Sequence, residues 1–154
     1  MPKDAKIAGE IEKIRERAND ITERLDTLID MRMGEIVRGM EKHNRVKAIA
    51  EVMLSFYFKR LIKKSMEFIP YNKNQSVHKK FSECLELMDD LMLGGKSTIS
   101  VFDREKLFNS VVVPWLKSCF EMCGKTKEFT ELDVFTLRAL KQEIKKMFLE
   151  IKGM

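Results

Sequence analysis

Four basic and three aromatic side chains lie within nine consecutive positions, FYFKRLIKK, from Phe56 to Lys64. Because residues three and four apart share one face of a helix, Lys59 lies over Lys63 and Arg60 over Lys64. A stripe of cations binds phosphates, and such binding weakens steeply with salt. We therefore predict a nucleic-acid contact by this stretch and its basic neighbours in the sequence, namely Lys59, Arg60, Lys63, Lys64, Arg45, Lys47, Lys79 and Lys80.

The surrounding sequence leaves a second interpretation of these charges open. Residues 45–80 hold nine Lys or Arg and two Glu, whereas residues 81–95 hold four acidic residues and no basic one. If the acidic segment packs antiparallel beside the basic one, the two neutralise each other inside the molecule. The aromatic residues do not separate these interpretations. Phe56, Tyr57 and Phe58 cannot all face one core, and the exposed one can stack on an unpaired base or pack against a helix.

Arg38 and His43 are separated by four residues in RGMEKH. An imidazole titrates near neutral pH and suits proton transfer, and a guanidinium suits a phosphate. The pair resembles the Arg-x4-His motif of the HEPN family of helical ribonucleases. The resemblance implies that Arg38 acts on the phosphate and His43 in proton transfer; the other interpretation is a solvated turn. A HEPN-like ribonuclease is therefore the third function to be tested.

The three cysteines, Cys84, Cys119 and Cys123, are an odd number at no spacing typical of a disulfide framework. Cys119 and Cys123 are four apart and could share a metal ion on a helix, but two ligands do not make a zinc site. We expect core thiols, no metal and no cofactor. Neither a Gly-rich phosphate loop nor a GxSxG motif is present, so we predict a protein that is not an enzyme.

Apolar residues recur at alternating spacings of four and three from Ile7 to Leu28. This pattern predicts a long helix with a narrow apolar seam. Such a seam either packs inside its own bundle or pairs with another helix, and its length favours a protein partner or a homodimer. The predicted partner-binding residues are Ile7, Ile11, Ile14, Ile21, Leu25 and Leu28.

The elements that position these residues are helices throughout. The seam shifts by one place at Arg32, and this stutter, with two nearby glycines, predicts a bend or end between Gly34 and Asn44. A second helix is predicted over Val46–Ile69, ended by Pro70, and a third from an N-cap at Ser76 to Gly94. A fourth is predicted from a capping box at Ser100 and Asp103 to Gly124, with a kink or stop at Pro114. A fifth is predicted from a capping box at Thr130 and Asp133 to the C-terminus.

The 154 residues, 44% hydrophobic and 34% charged with 7 Gly and 3 Pro, have the size and composition of one helix-rich domain. We predict an all-α fold, a single-domain bundle of about five helices with a long N-terminal coiled-coil-like helix. We expect residues 1–154 to form one domain, from which the long helix within residues 1–44 can project.

The apolar runs are too short for a signal peptide or a spanning helix, so we expect no membrane insertion and an intracellular, cytoplasmic or nuclear protein. The predicted function is a non-enzymatic helical interaction or assembly module that contacts nucleic acid through a basic helix face. The alternative is a protein-binding adaptor or scaffold subunit that uses the N-terminal heptad seam.

Overall fold

A computed structural model describes residues 2–94 and 101–132 of the chain, and three further helical positions, Gln142, Lys146 and Leu149. The described residues form helices joined by turns, without a strand, so the predicted all-α bundle with a long N-terminal helix is confirmed. In chain order the elements are α1 (Pro2–Val37), α2 (Lys42–Met66), α3 (Gln75–Met92), α4 (Val101–Leu107), α5 (Val113–Met122) and α6 (Thr126–Glu131).

The first helix ends where its glycines and its broken seam predict. Val37 is its last residue, and Gly39 follows with a φ of +92°, in the left-handed region that glycine adopts without a Cβ clash. The N–H groups of Arg38 and Gly39 donate to the carbonyls of Gly34 (3.0 Å) and Ile36 (3.2 Å), which satisfies two carbonyls at the helix end. The chain therefore turns within residues 38–41, and α2 packs against α1.

The connection between α2 and α3 corrects one predicted cap. A single 3₁₀ turn, Ile69–Tyr71, holds Pro70 after the end of α2. The N-cap of α3 is Asn74, whose side-chain oxygen accepts a hydrogen bond from the Ser76 N–H at 2.9 Å. The prediction of Ser76 as the cap is therefore wrong, because Ser76 already lies in the first turn that Asn74 caps.

The chain passes Pro114 without leaving a helical path. A π-helical segment, Phe108–Val112, joins α4 to α5, and the Val113 N–H bonds to the Phe108 carbonyl five residues back. Proline has no N–H, and its ring crowds the carbonyl four residues earlier, so a wider turn accommodates it. The irregularity predicted at Pro114 thus takes the form of a bulge, and the helix continues into α5.

The predicted capping box at Thr130 is also wrong. Thr130 lies inside α6, and its hydroxyl donates to the Thr126 carbonyl at 3.1 Å. Asp133 and the other predicted cap, Ser100, lie outside the described residues. So does most of the helix predicted from this capping box to the C-terminus.

The helices pack as a bundle in which α1 contacts both α2 and α3, α3 contacts α5, and α2 contacts α4. Because α4 and α5 are joined end to end, these contacts put α2 and α3 at opposite corners of the bundle. Large side chains from α2, α3, α5 and the π segment fill the space between them, and Phe58, Phe81, Phe108 and Phe120 are fully buried. The Phe58 and Phe108 rings are 4.4 Å apart, which ties α2 to the π segment across the core.

Beyond the main core, α1 and α2 share a second cluster of apolar residues. Ile29 and Val52 are its buried members, and Met33, Ile49 and Met53 pack around them. At the same end, Glu51 is buried and lies 3.3 Å from Arg32 and 3.6 Å from Arg104 of α4. The stutter at Arg32 therefore marks the point where α1 leaves the main core and packs on the first half of α2.

A groove between two helices as the candidate functional site

Two of the four carboxylates of α3, Glu86 and Asp89, are neutralised by α1. Arg17 donates to Glu86 at 2.7 Å and also binds Asp89, and Arg24 lies 3.2 Å from Asp89. The hydrogen bond with Glu86 is the main cause that raises the pKa of Arg17, so its charge is fixed. The α3 carboxylates therefore do not neutralise the basic stretch of α2, which lies at the opposite corner, and that internal match is not formed.

Of the four cations in the stretch Phe56–Lys64, two form ion pairs within the described segments and two do not. Lys59 pairs with Asp26 of α1 and lies 5.7 Å from the centre of the Phe56 ring, and Lys64 pairs with Glu67 at 2.9 Å. Arg60 and Lys63 are exposed, and neither forms an ion pair with any residue of the described segments. Within this stretch of α2 the exposed positive charge is therefore on Arg60 and Lys63.

These four cations border a groove of about 1040 Å³ between α1, α2 and α6, called here the α1–α2–α6 groove. Asn19 and Thr22 of α1 supply uncharged polar groups, whereas Glu128 and Glu131 of α6 supply carboxylates. Glu128 is 4.0 Å from Lys125. The apolar part of the lining consists of Ala18, Phe56, Ile62, Met66 and Leu132. The groove thus combines an apolar lining with cations of α2 and carboxylates of α6, and it also holds Glu67, the carboxylate paired with Lys64.

The structure does not bring the other predicted nucleic-acid residues to this groove. Lys79 is exposed on α3, and the Lys80 Nζ donates to the Ser118 Oγ of α5 at 3.0 Å. Arg45 and Lys47 lie near the start of α2; at about 1.5 Å per residue, Lys47 is about 18 Å along the helix from Lys59. The predicted set of eight is therefore divided among three places, of which the groove holds four residues.

The three aromatic residues before the basic stripe separate as their helical positions require. Tyr57 and Phe58 are buried, with the Tyr57 ring 5.3 Å from that of Phe108. Phe56 is half-buried, contacts both apolar clusters and lines the groove. Phe56 is therefore the aromatic residue of this stretch that a bound ligand would meet.

The heptad seam of α1 is partly used inside the molecule. Ile14, Ile21 and Leu25 are buried in the main core, and Leu28 packs against that core while half-buried. Ile7 and Ile11, near the start of the helix, are also half-buried. Partner binding through the seam stays a prediction. The buried middle of the seam already has α2 and α3 as neighbours.

The Arg38 and His43 pair lies at the turn between α1 and α2. Arg38 is exposed and follows the last residue of α1, and the His43 backbone lies in the first turn of α2. The His43 side chain lies outside the described part of the structure. A ribonuclease role for the pair therefore stays a prediction.

Two of the three cysteines meet between α3 and α5, which their spacing in the sequence does not reveal. Cys84 and Cys119 are buried, and the hydrogen bond between their thiols raises the pKa of Cys84 and lowers that of Cys119. Cys123 is half-buried and accepts a hydrogen bond from the Asn72 amide at 3.4 Å. Within the described segments, no three His, Cys, Asp or Glu side chains are placed to hold a metal ion.

Sequence reasoning missed the carboxylates of α6. Glu128 and Glu131 lie about 65 residues from the basic stripe in a segment of mixed charge, and nothing in their spacing indicates which surface α6 covers. Among the described helices, none is both long and apolar enough to cross a bilayer. The chain has no significant match to a protein-family model, a curated protein or a solved structure.

Proposed function

We propose that the protein is a non-enzymatic binding module and that the α1–α2–α6 groove takes an amphipathic helix of a partner protein. Helices that bind in grooves bury an apolar face against an apolar lining and leave their polar flanks at the edges. The half-buried Phe56 and Met66 are the side chains of α2 that such a face would cover. This proposal keeps the adaptor function and moves the binding surface from the heptad seam to the groove.

The observation that carries the proposal is the pairing of opposite charges around one apolar lining. Arg60 and Lys63 come from α2, and Glu128 and Glu131 come from α6. A polyphosphate would be attracted by the first pair and repelled by the second, whereas a helix can carry acidic residues on one flank and basic residues on the other. The charges therefore favour a helical peptide over a nucleic acid, and they also determine the orientation of that helix in the groove.

The free energies of apolar burial and of exposed ion pairs assign different roles to the apolar lining and to the charges of the groove. An exposed ion pair contributes about 0.2–1 kcal/mol, whereas full burial of one large apolar side chain contributes about 1.5–3 kcal/mol. Affinity would thus come mainly from apolar residues entering the groove. Arg60 and Lys63 would mainly determine which helices bind and how fast they associate.

The test is selection of helical peptides from a displayed library against the full chain, with counter-selection against an Arg60→Glu, Lys63→Glu variant. Selected peptides should carry apolar residues at positions i, i+3 or i+4, and i+7, with acidic residues on one flank. Their affinity should fall about tenfold or more in that variant, because two attractions become repulsions. The charge-matched control is Lys47→Glu, Lys73→Glu, since both residues are exposed and outside the groove. Equal loss in both variants, or selected peptides without this pattern, would contradict the proposal.

A second candidate, nucleic-acid binding through the outer edge of α2, is favoured by the absence of described ion-pair partners for Arg60 and Lys63. Its test is fluorescence anisotropy with labelled single- and double-stranded DNA and RNA at about 50 and 200 mM salt. Binding that is lost at the higher salt and in the Arg60→Glu, Lys63→Glu variant would select this function, provided that it is kept in a Lys73→Glu, Lys117→Glu variant, whose exposed cations lie outside the groove and outside the predicted set. An unchanged signal across all oligonucleotides at the lower salt would remove it.

A further inference from the structure

A second surface lies where α3 packs against α5, centred on Trp115. Leu87 and Trp115 are half-buried there, and they line a shallow depression of about 400 Å³. The carboxylates of Glu83, Glu86 and Asp90 surround them, and Lys79 lies at one end. We call this surface the Trp115 patch; none of its residues lines the α1–α2–α6 groove.

The carboxylates of the patch are only partly neutralised. Glu86 is bound by Arg17, whereas Glu83 and Asp90 are exposed and form no ion pair with a residue of the described segments. Glu83 and Glu86 are three apart on α3, and Glu86 and Asp90 are four apart, so like charges lie next to each other along the helix. The like charges weaken α3 slightly when the patch is empty, and a cation placed between them would relieve the repulsion.

We infer that the Trp115 patch is a docking surface for a basic amphipathic helix of a protein partner. Tryptophan is one of the side chains enriched among the residues that contribute most binding energy at protein interfaces. Apolar residues of the helix cover Leu87 and Trp115, and its Lys or Arg residues lie beside Glu83 and Asp90. Lys79, the cation among the described residues that line the patch, opposes an acidic residue of the helix and so sets the direction of the helix.

Trp115 is the only tryptophan of the chain, so its fluorescence reports directly on this surface. The probe is a synthetic Leu/Lys amphipathic peptide of about 18 residues without aromatic residues, titrated into the full chain. Its matched control is a Leu/Glu peptide with the same apolar positions. The protein has a net charge of +5, so unspecific electrostatic binding would favour the Leu/Glu peptide, and the inference requires the opposite preference.

The Leu/Lys peptide should shift the Trp115 emission to shorter wavelength, because the ring leaves water. Anisotropy of the labelled peptide should give a dissociation constant that rises about three- to tenfold in a Glu83→Gln, Asp90→Asn variant. A Glu12→Gln, Glu23→Gln variant, which neutralises two exposed carboxylates on α1 away from the patch, should bind as the natural protein does.

Two outcomes would overturn the inference: an emission that does not respond to the Leu/Lys peptide, or equal affinity loss in the two neutralised variants. The proposal for the α1–α2–α6 groove and the inference for the Trp115 patch can be refuted independently. Arg60→Glu, Lys63→Glu should leave the Trp115 response unchanged, and Glu83→Gln, Asp90→Asn should leave binding in the groove unchanged.

Discussion

At the scale of single residues, the three thiols differ in what surrounds them. Cys84 and Cys119 have no exposed surface, whereas Cys123 is half-buried at the end of α5. Burial, and next the neighbouring Cys119, raise the pKa of Cys123 above its ordinary value. Only the thiolate reacts, so Cys123 should be the one accessible site while also reacting slowly near neutral pH.

We therefore predict that iodoacetamide labels the native protein at Cys123 and leaves Cys84 and Cys119 unmodified until the chain unfolds. Because the pKa is raised, the thiolate fraction is low at pH 8, and the labelling rate should still increase above pH 9, where an ordinary cysteine approaches its plateau. Peptide mass spectrometry across a pH series measures both effects. A Cys123→Ser variant is the control and should take up almost no label when folded; early modification of Cys119 would show that the core is more open than the structure describes.

At the scale of elements, the residue that caps the start of α3 differs between the sequence-based prediction and the structure. Ser76 and Asn74 are both good capping types, but only Asn74 accepts a hydrogen bond from a free N–H of the first turn. Asn74→Ala should therefore lower the free energy of unfolding by about 1 kcal/mol. Ser76→Ala, the matched control at an exposed position, should change it by less than about 0.5 kcal/mol. Urea denaturation followed by circular dichroism measures both, and the reverse order of effects would restore Ser76 as the cap.

The helices and one boundary were predictable in this chain, whereas the caps and irregularities were not. The shifted seam of α1 and the glycines Gly34 and Gly39 are local signals; they predicted a bend or end between Gly34 and Asn44, and α1 ends at Val37. Pro114 predicted a disturbance, but whether the chain stops or bulges depends on Phe108 and Val112, which are held in the core by neighbouring helices. Thr130 is a residue type that often caps helices, but it lies inside α6. The residue type alone does not reveal that the preceding residues are already helical.

At the scale of the whole molecule, only the basic side of the candidate groove was predictable from the sequence. Helical periodicity alone places Lys59, Arg60, Lys63 and Lys64 along one stretch of helix. Tertiary packing brings the carboxylates of α6 to the same groove, and it also places α3 at the opposite corner of the bundle. Where two helices of opposite charge are both present, sequence cannot tell whether they neutralise each other or a third helix intervenes, and here α1 intervenes.

The seam of α1 provides the test of whether the bundle is complete by itself. Leu25 is fully buried against the main core of the same chain. If the seam serves the bundle, Leu25→Ala should lower the free energy of unfolding by about 2–5 kcal/mol, and by the same amount at two protein concentrations about tenfold apart. Ile7→Ala, a seam position that is half-buried outside that core, should have an effect of less than about 1 kcal/mol.

If the seam instead joins two copies, unfolding of the natural protein is linked to dissociation, and its midpoint rises with concentration. Light scattering would then show a dimer that Leu25→Ala converts to a monomer. Because Ile14, Ile21 and Leu25 are already covered by helices of their own chain, we expect a midpoint that does not depend on concentration. A midpoint that does depend on it would mean that α1 leaves its own bundle to pair with a second copy, and the groove bordered by α1 would then have to be re-examined as a feature of the dimer.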